Sequence, residues 1–402
     1  KIMALTITSG PSRTIDGITS SANASRSQIP FIFTTTDQAQ PNYKIEIKIY
    51  SAAPLVQIVD TVFKYSPKAD GTLFLDVGPI LTEYLEKNGI VFERFRLYYA
   101  ESWTGQAPSF SPSSIYSAVY AQKQIYSSGG ANLYNHGARL NSSGTGTALT
   151  KWSVPRIYSQ WKRTIGVLVD ANLAGAVMTV KYLNINKDFL STALTHTFGA
   201  SPIGVLNLDL QNYAVSTPSN AYWVRAEFTD SNGNVLQPVD YKVTPQCSNP
   251  IFVEYLNSLG AYDQYIFDLK QEVQVASSTG IASSRAINQD YATANVTNIR
   301  VANDWVQQLI CQTDQLSNGD LLAINEIKRS TSVRVLLTRD GSKFVQVVAT
   351  NNLSDIYSTD NANNGFNLQL QMPNNFNVFE AIDYSLTPSQ MHLNVAFTAA
   401  YN

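Results

Sequence analysis

Apolar and polar positions alternate with period two over much of this chain. Tyr43, Ile45, Ile47 and Ile49 are separated by Lys44, Glu46 and Lys48, the signature of a strand with one wet face. Val56, Ile58, Val59, Val62 and Phe63 alternate less regularly and predict its partner after the Ala53-Pro54 turn. Ile80, Leu81, Tyr84 and Leu85 change to helical spacing and make one apolar stripe, closed near Asn88-Gly89, where glycine accepts the left-handed C-terminal conformation. A strand over 92–99 follows. Residues 1–125 are therefore expected to form a β-sandwich-like domain with one helix.

Residues 126–150 are rich in Ser, Gly, Asn and Thr and read as a linker or long loop. The pattern beyond it predicts strands over 164–169, 177–183, 205–210 and 222–228. The turn Asp230-Ser-Asn-Gly-Asn234 should join the last of these to a strand over 235–243. This second β domain spans 126–246.

A third β-rich domain, 247–402, is expected to open with a short helix. Asn249-Pro250 is a helix-start signal, Ile251, Tyr255, Leu256 and Leu259 recur at helical spacing, and Gly260 supplies the residue that accepts positive φ. Tyr262, Tyr265, Ile266 and Phe267 then predict a strand. Residues 276–285, A-S-S-T-G-I-A-S-S-R, read as an exposed loop, and Asp340-Gly341 marks a hairpin between 333–338 and 343–349. Asn361 to Gly365 reads as a turn, followed by strands over 366–370 and 391–398. The fold class is thus mainly β: multi-domain β-sandwich modules with a few short helices.

Composition narrows the function. Only 14% of residues are charged, against roughly 25% in an average soluble protein. A surface of Ser, Thr, Asn, Gln and Tyr is cheaply desolvated, which suits a subunit buried among neighbours. Net charge is −2 and no run of Lys and Arg tracks phosphates, which argues against nucleic acid as a partner. Cys247 and Cys311 are too few for a disulfide framework, and buried thiols are expected. No 18-residue apolar run is present, so no membrane span is expected. The first ten residues lack a secretory layout, and the start at Lys1 implies processing or an upstream start.

Residues that could carry catalysis are few. His136, His196 and His392 are the only histidines, and no G-x-S-x-G, H-E-x-x-H or phosphate-binding glycine motif accompanies them. Residues 360–371 resemble a calcium loop at Asp360 and Gly365, but Ala362 occupies a ligand position and Gln371 stands where a bidentate Glu is needed. No cofactor or metal is expected. Trp103, Trp152, Trp161, Trp223 and Trp305 could supply a sugar platform, although tryptophans set among strands more often pack in a core. The sequons at Asn23, Asn141, Asn295 and Asn352 matter only in a secretory pathway.

Residues 249–267, N-P-I-F-V-E-Y-L-N-S-L-G-A-Y-D-Q-Y-I-F, resemble a segment that recurs in structural proteins of tailed phages infecting Bacteroidota, themselves similar to tail-tip and baseplate components. In that group the segment reads Asn-Pro-Ile, then Leu-Asn-Ser-Leu-Gly, then Gly-Trp. Asn249, Pro250 and Ile251 match the first part and Leu256, Asn257, Ser258, Leu259 and Gly260 the second; Ala261-Tyr262 departs from Gly-Trp. Phe74-Leu75-Asp76-Val77 with Ile80-Leu81 and Tyr84-Leu85, and residues 155–169, are more loosely similar.

The resemblance implies a non-enzymatic virion subunit, assembled in the host cytoplasm and placed at the tail tip or baseplate. Its partners would be other copies of itself and other virion proteins, with residues 126–150 and 276–285 as contact candidates. The alternatives are a head-associated or host-attachment protein that binds cell-surface glycan, and an extracellular β-type carbohydrate-active enzyme.

Overall fold

The computed structural model describes residues 5–10, 22–27, 29–52, 54–121, 150, 152, 155–158, 161–169, 175–198, 204–210, 217–229, 233, 235, 238–244, 250–268, 270–283, 298–313, 316–338, 340–350 and 365–373. The protein is mainly β, built of several sheets with a few short helices. Among the described residues, each sheet takes its strands from one of three stretches, 6–119, 156–244 or 251–371.

The first stretch contains β1 (Thr6–Ser9), β2 (Ala22–Ala24), β3 (Pro30–Thr34), β4 (Lys44–Ser51), β5 (Phe63–Tyr65), β6 (Thr72–Asp76), α1 (Gly78–Asn88), β7 (Phe92–Ser102), β8 (Ser111–Pro112) and β9 (Tyr116–Val119). Sheet β1-β3-β6 packs on sheet β2-β9-β7-β4-β5, with β8 beside β7. Phe31, Phe33, Leu73 and Leu75 meet Ile45, Ile47, Ile49, Phe95 and Leu97 in one core. The alternation of β4 thus does as expected, and its reverse face carries Lys44, Glu46 and Lys48.

The partner expected over 56–63 is displaced. Residues 56–58 meet β4 through Ser51 N donating to Val56 O (2.8 Å), Ile58 N donating to Ile49 O (2.8 Å) and a Tyr50–Gln57 bridge, whereas the strand that pairs with β4 in a ladder is β5. In α1, Leu81 and Leu85 are buried, proline stands in the first turn, and Gly89 closes the helix at φ 61°.

The second stretch contains β10 (Arg156–Tyr158), β11 (Thr164–Val169), β12 (Val177–Leu183), β13 (Phe189–Thr197), β14 (Gly204–Asp209), β15 (Trp223–Thr229) and β16 (Val239–Thr244). The pair β11-β14 lies against the sheet β10-β16-β15-β12-β13. Ile165 and Val167 share a core with Met178, Val180, Tyr182, Val224, Ala226 and Phe228. Four of the five strands expected here form to within one residue; the fifth, expected over 235–243, begins later as β16 and pairs antiparallel with β15 as the turn predicted, with Val235 making an isolated bridge to Thr229. Of that turn, only Gly233, at φ 85°, is among the described residues.

The third stretch contains β17 (Ile251–Leu256), β18 (Tyr262–Phe267), β19 (Lys270–Ser283), β20 (Asn298–Gln312), α2 (Asn318–Ile324), α3 (Glu326–Arg329), β21 (Val333–Leu336), β22 (Phe344–Ala349) and β23 (Asn367–Gln371). The strands form one sheet, β18-β17-β21-β22-β23-β20-β19. Val253, Tyr255, Leu309, Val335, Val347 and Leu370 bury one face of it against Leu321, Ile324 and Ile327 of the helices.

Two expectations are corrected here. The segment 251–259 is not a helix: β17 and β18 form an antiparallel hairpin, so the third stretch opens with a strand. All six β17 residues are buried, and a run of Ile, Phe, Val and Tyr buried on both faces suits a strand better than a one-sided helix. Residues 276–283 are not a loop but the outer half of β19, paired with β20 through a ladder with a bulge at Gly280/Ile281. Backbone pairing supplies there what the small side chains lack.

The hairpin around Asp340-Gly341 forms as expected, with Gly341 at φ 66°. The expected loop over 126–149, the strand over 391–398, the calcium-like residues 360–364, and Cys247, Asn249, Ser284, Arg285, His136 and His392 lie outside the described residues. Among the described residues, no helix is long and apolar enough to cross a membrane.

Candidate functional site

The Asn257–Ala261 turn that joins β17 to β18 is where all three stretches meet. Its shape comes from Asn257, whose side-chain oxygen accepts from Leu259 N (2.9 Å) and Ala261 N (3.1 Å), as short amides do in turns. Gly260 follows at φ 84°. A Cβ on Gly260 would lie 2.3 Å from Val119 Cγ1 of the first stretch, and one on Gly166 of the second would lie 2.1 Å from Ala261 Cβ. The turn is therefore pressed between two other units at places where only glycine fits.

Side chains extend this junction. Leu256 packs with Leu85 and Tyr120 of the first stretch. Tyr262 N donates to Asn207 Oδ1 of the second at 3.1 Å. Ser258 is held within the third by Glu326, whose carboxylate accepts from Ser258 N (2.8 Å) and Ser258 Oγ (2.7 Å). Of the other motif residues, Pro250 and Ile251 are buried at the start of β17, Leu259 is buried in the turn, and Asn249 lies outside the described residues.

Beneath the turn lies a polar network that the sequence reading missed. Arg163, in the approach to β11, donates to Gln264 O and, at 3.1 Å, to Asp263 Oδ1. Its guanidinium also stacks over Tyr241, 5.3 Å from the ring centre. Asp263 also accepts from Thr150 Oγ1 (2.7 Å) and Asn257 Nδ2 (3.3 Å). Burial pushes the Asp263 carboxyl above its ordinary range, and Arg163 with these donors opposes the shift.

One strand away, the fully buried Glu254 pairs with Arg334, accepts from Gln264 Nε2 at 3.0 Å, and has Lys162 Nζ at 3.9 Å. Arg334 lies between the rings of Tyr262 (4.2 Å) and Phe344 (4.6 Å). The Tyr255 hydroxyl accepts from Trp152 Nε1 (3.0 Å), donates to Ala323 O (3.1 Å), and is pushed well above its ordinary pKa by burial.

Aromatic packing seals the same seam. Trp161 stacks face to face on Phe252 at 3.7 Å and 10°, within a cluster of Tyr158, Ile266 and Leu336. Trp152 stacks on Tyr265 at 5.1 Å. These two tryptophans are core, not a sugar platform. Trp103 is stacked on Tyr43 and Trp223 lies under Lys187, whereas the Trp305 side chain lies outside the described residues. His196 is half-buried against Phe198, Cys311 is a buried thiol, and Asn23 is buried with its amide donating to Ser117 O.

Among the described residues, no cluster of His, Cys, Asp or Glu converges on a cation position. Arg163 and Asp263 are both buried, and their ion pair ties the second stretch to the third. Single polar residues far apart in sequence gave no signal of it; the one hint was a Glu, an Asp and a Gln inside an otherwise apolar run. Neither a protein-family model nor a curated protein matches the chain.

Proposed function

We propose that this chain is a non-enzymatic structural subunit of a phage virion, of the tail-tip or baseplate kind, which acts by assembling with copies of itself and other virion proteins. The observation that carries the reading is the β19–β20 ribbon. Pairing of β20 with β23 stops at Gln308, while β19 and β20 remain paired out to Ser283 and Asn298. Among the described residues, Ala276 to Ser283 therefore runs beyond the sheet as one strand of a two-stranded ribbon about 27 Å long.

An isolated two-stranded ribbon is marginal in water, and its open edges are templates for another chain. Such an element gains stability on a neighbour. Three further features agree: a surface with few charges, three units fixed to one another at one turn, and the resemblance of residues 249–267 to phage structural proteins.

The test is quantitative mass spectrometry and electron microscopy of purified particles, with light scattering on the isolated chain. The expected result is several copies per particle, located at the tail end. A chain absent from particles and monomeric at every concentration overturns the proposal.

A further inference from the structure

The outer face of the sheet β2-β9-β7-β4-β5 gathers cations that no linear run announces. Ladder partners share a face: Lys44 stands opposite Ser102, Lys48 opposite Tyr98, Tyr50 opposite Arg96, and Lys64 opposite Glu46. Arg94 lies two residues before Arg96 and shares its side of β7. Five cations thus share a face to which the paired strands contribute one carboxylate, Glu46, and that carboxylate is already held by Lys64 at 3.0 Å and by Ser102. In a chain of net charge −2 this is a marked local excess.

Among the described residues, two of these cations, Arg94 and Arg96, are left without a counter-ion, and Arg96 Nε is buried without a hydrogen bond. Lys44 donates to Ser66 Oγ (2.6 Å), and Lys48 sits 4.2 Å over the Phe110 ring. Lys48, Arg96 and Arg94 stand at successive levels of the ladder, one repeat of roughly 6.6–6.8 Å apart, and Lys44 stands two repeats before Lys48 with Glu46 between them.

We infer that this face docks an extended acidic segment of another protein, with Asp or Glu at alternate positions. Charge complementarity selects an anion, and the repeat matches carboxylates displayed on one side of a strand. Stacking by nucleobases or sugars is disfavoured because the aromatic faces are already engaged: Tyr50 and Tyr98 pack edge to face at 5.0 Å, and Phe110 is covered by Lys48. The inference rests on register and charge alone and stands whether or not the chain is a virion subunit.

The test is fluorescence anisotropy of the full chain with a labelled twelve-residue peptide of alternating Glu and Thr, beside a twelve-nucleotide oligothymidylate. Salt-sensitive binding of the peptide is expected, weakened about tenfold in Arg94→Gln/Arg96→Gln and further in Arg94→Glu/Arg96→Glu. The neutral pair keeps the charge change small, and circular dichroism checks that each variant is folded; Lys48→Gln gives a third, independent probe of the face. The inference is overturned by no peptide binding to the native chain, by binding that these substitutions leave unchanged, or by tighter binding of the oligonucleotide.

Discussion

Gly89 and Gly260 share a left-handed backbone but not their surroundings. Nothing lies within 4 Å of a Cβ at Gly89, whereas one at Gly260 would strike Val119. Gly89→Ala should therefore cost about 1 kcal/mol, the price of the conformation alone. Gly260→Ala should cost about 2–4 kcal/mol, because overpacking adds to it; urea denaturation of both variants measures the difference. Arg163 poses a different problem, since its removal strands the Asp263 carboxylate in the interior. Arg163→Met is expected to lose about 3–5 kcal/mol, and Arg163→Met/Asp263→Asn to recover part of that loss in the same measurement.

At the scale of elements, the turn between β21 and β22 is built on Asp340, which accepts from Ser342 N (3.0 Å) and from the hydroxyls of Thr338 and Ser342. These bonds hold its carboxyl down to about 2, from an ordinary 3.8. A depressed carboxyl contributes stability above its unfolded value and loses it as pH falls through the folded one. An NMR titration should place the Asp340 midpoint near pH 2, and the turn's contribution should fade between pH 4 and that value; a midpoint near 4 would contradict the geometry. For the ribbon, hydrogen exchange should be faster at 276–283 and 298–306 than at Leu309 and Cys311 in the isolated chain, and the proposed assembly role requires it to slow when the chain is bound to its neighbours.

The elements that alternate cleanly were legible from sequence: β4, β12, β15 and α1 each carry a period that burial enforces. Where burial is two-sided, as in β17, Ile251, Tyr255, Leu256 and Leu259 fit a helical spacing by coincidence, and only the paired strand β18 decides. The outer half of β19 failed for the opposite reason, because small polar residues carry no period at all. β13 was missed because its burial alternates only partly, with Phe189 exposed and Ala193 buried. As for the candidate site, its turn residues were found, but Arg163, Glu254 and Glu326 were not. Residues brought together across tens or hundreds of positions leave no local pattern.

For the whole molecule, the turn between β17 and β18 touches the first stretch through Leu256 and Gly260 and the second through Ala261 and Tyr262. The three units should accordingly unfold together, as one calorimetric transition. Leu256→Asp would set an unpaired carboxylate beside Leu85 and Tyr120; the expected outcome is a split trace, with the first unit melting apart from the others. An unsplit transition in that variant would show that other contacts suffice. The seam also carries its own optical reporter. Trp161 and Phe252 belong to different units yet stack at 3.7 Å, and the indole is almost wholly shielded from solvent. Any parting of the two units would wet that ring, shift its emission to the red and erase its near-ultraviolet dichroism, so opening of the seam can be timed without a label.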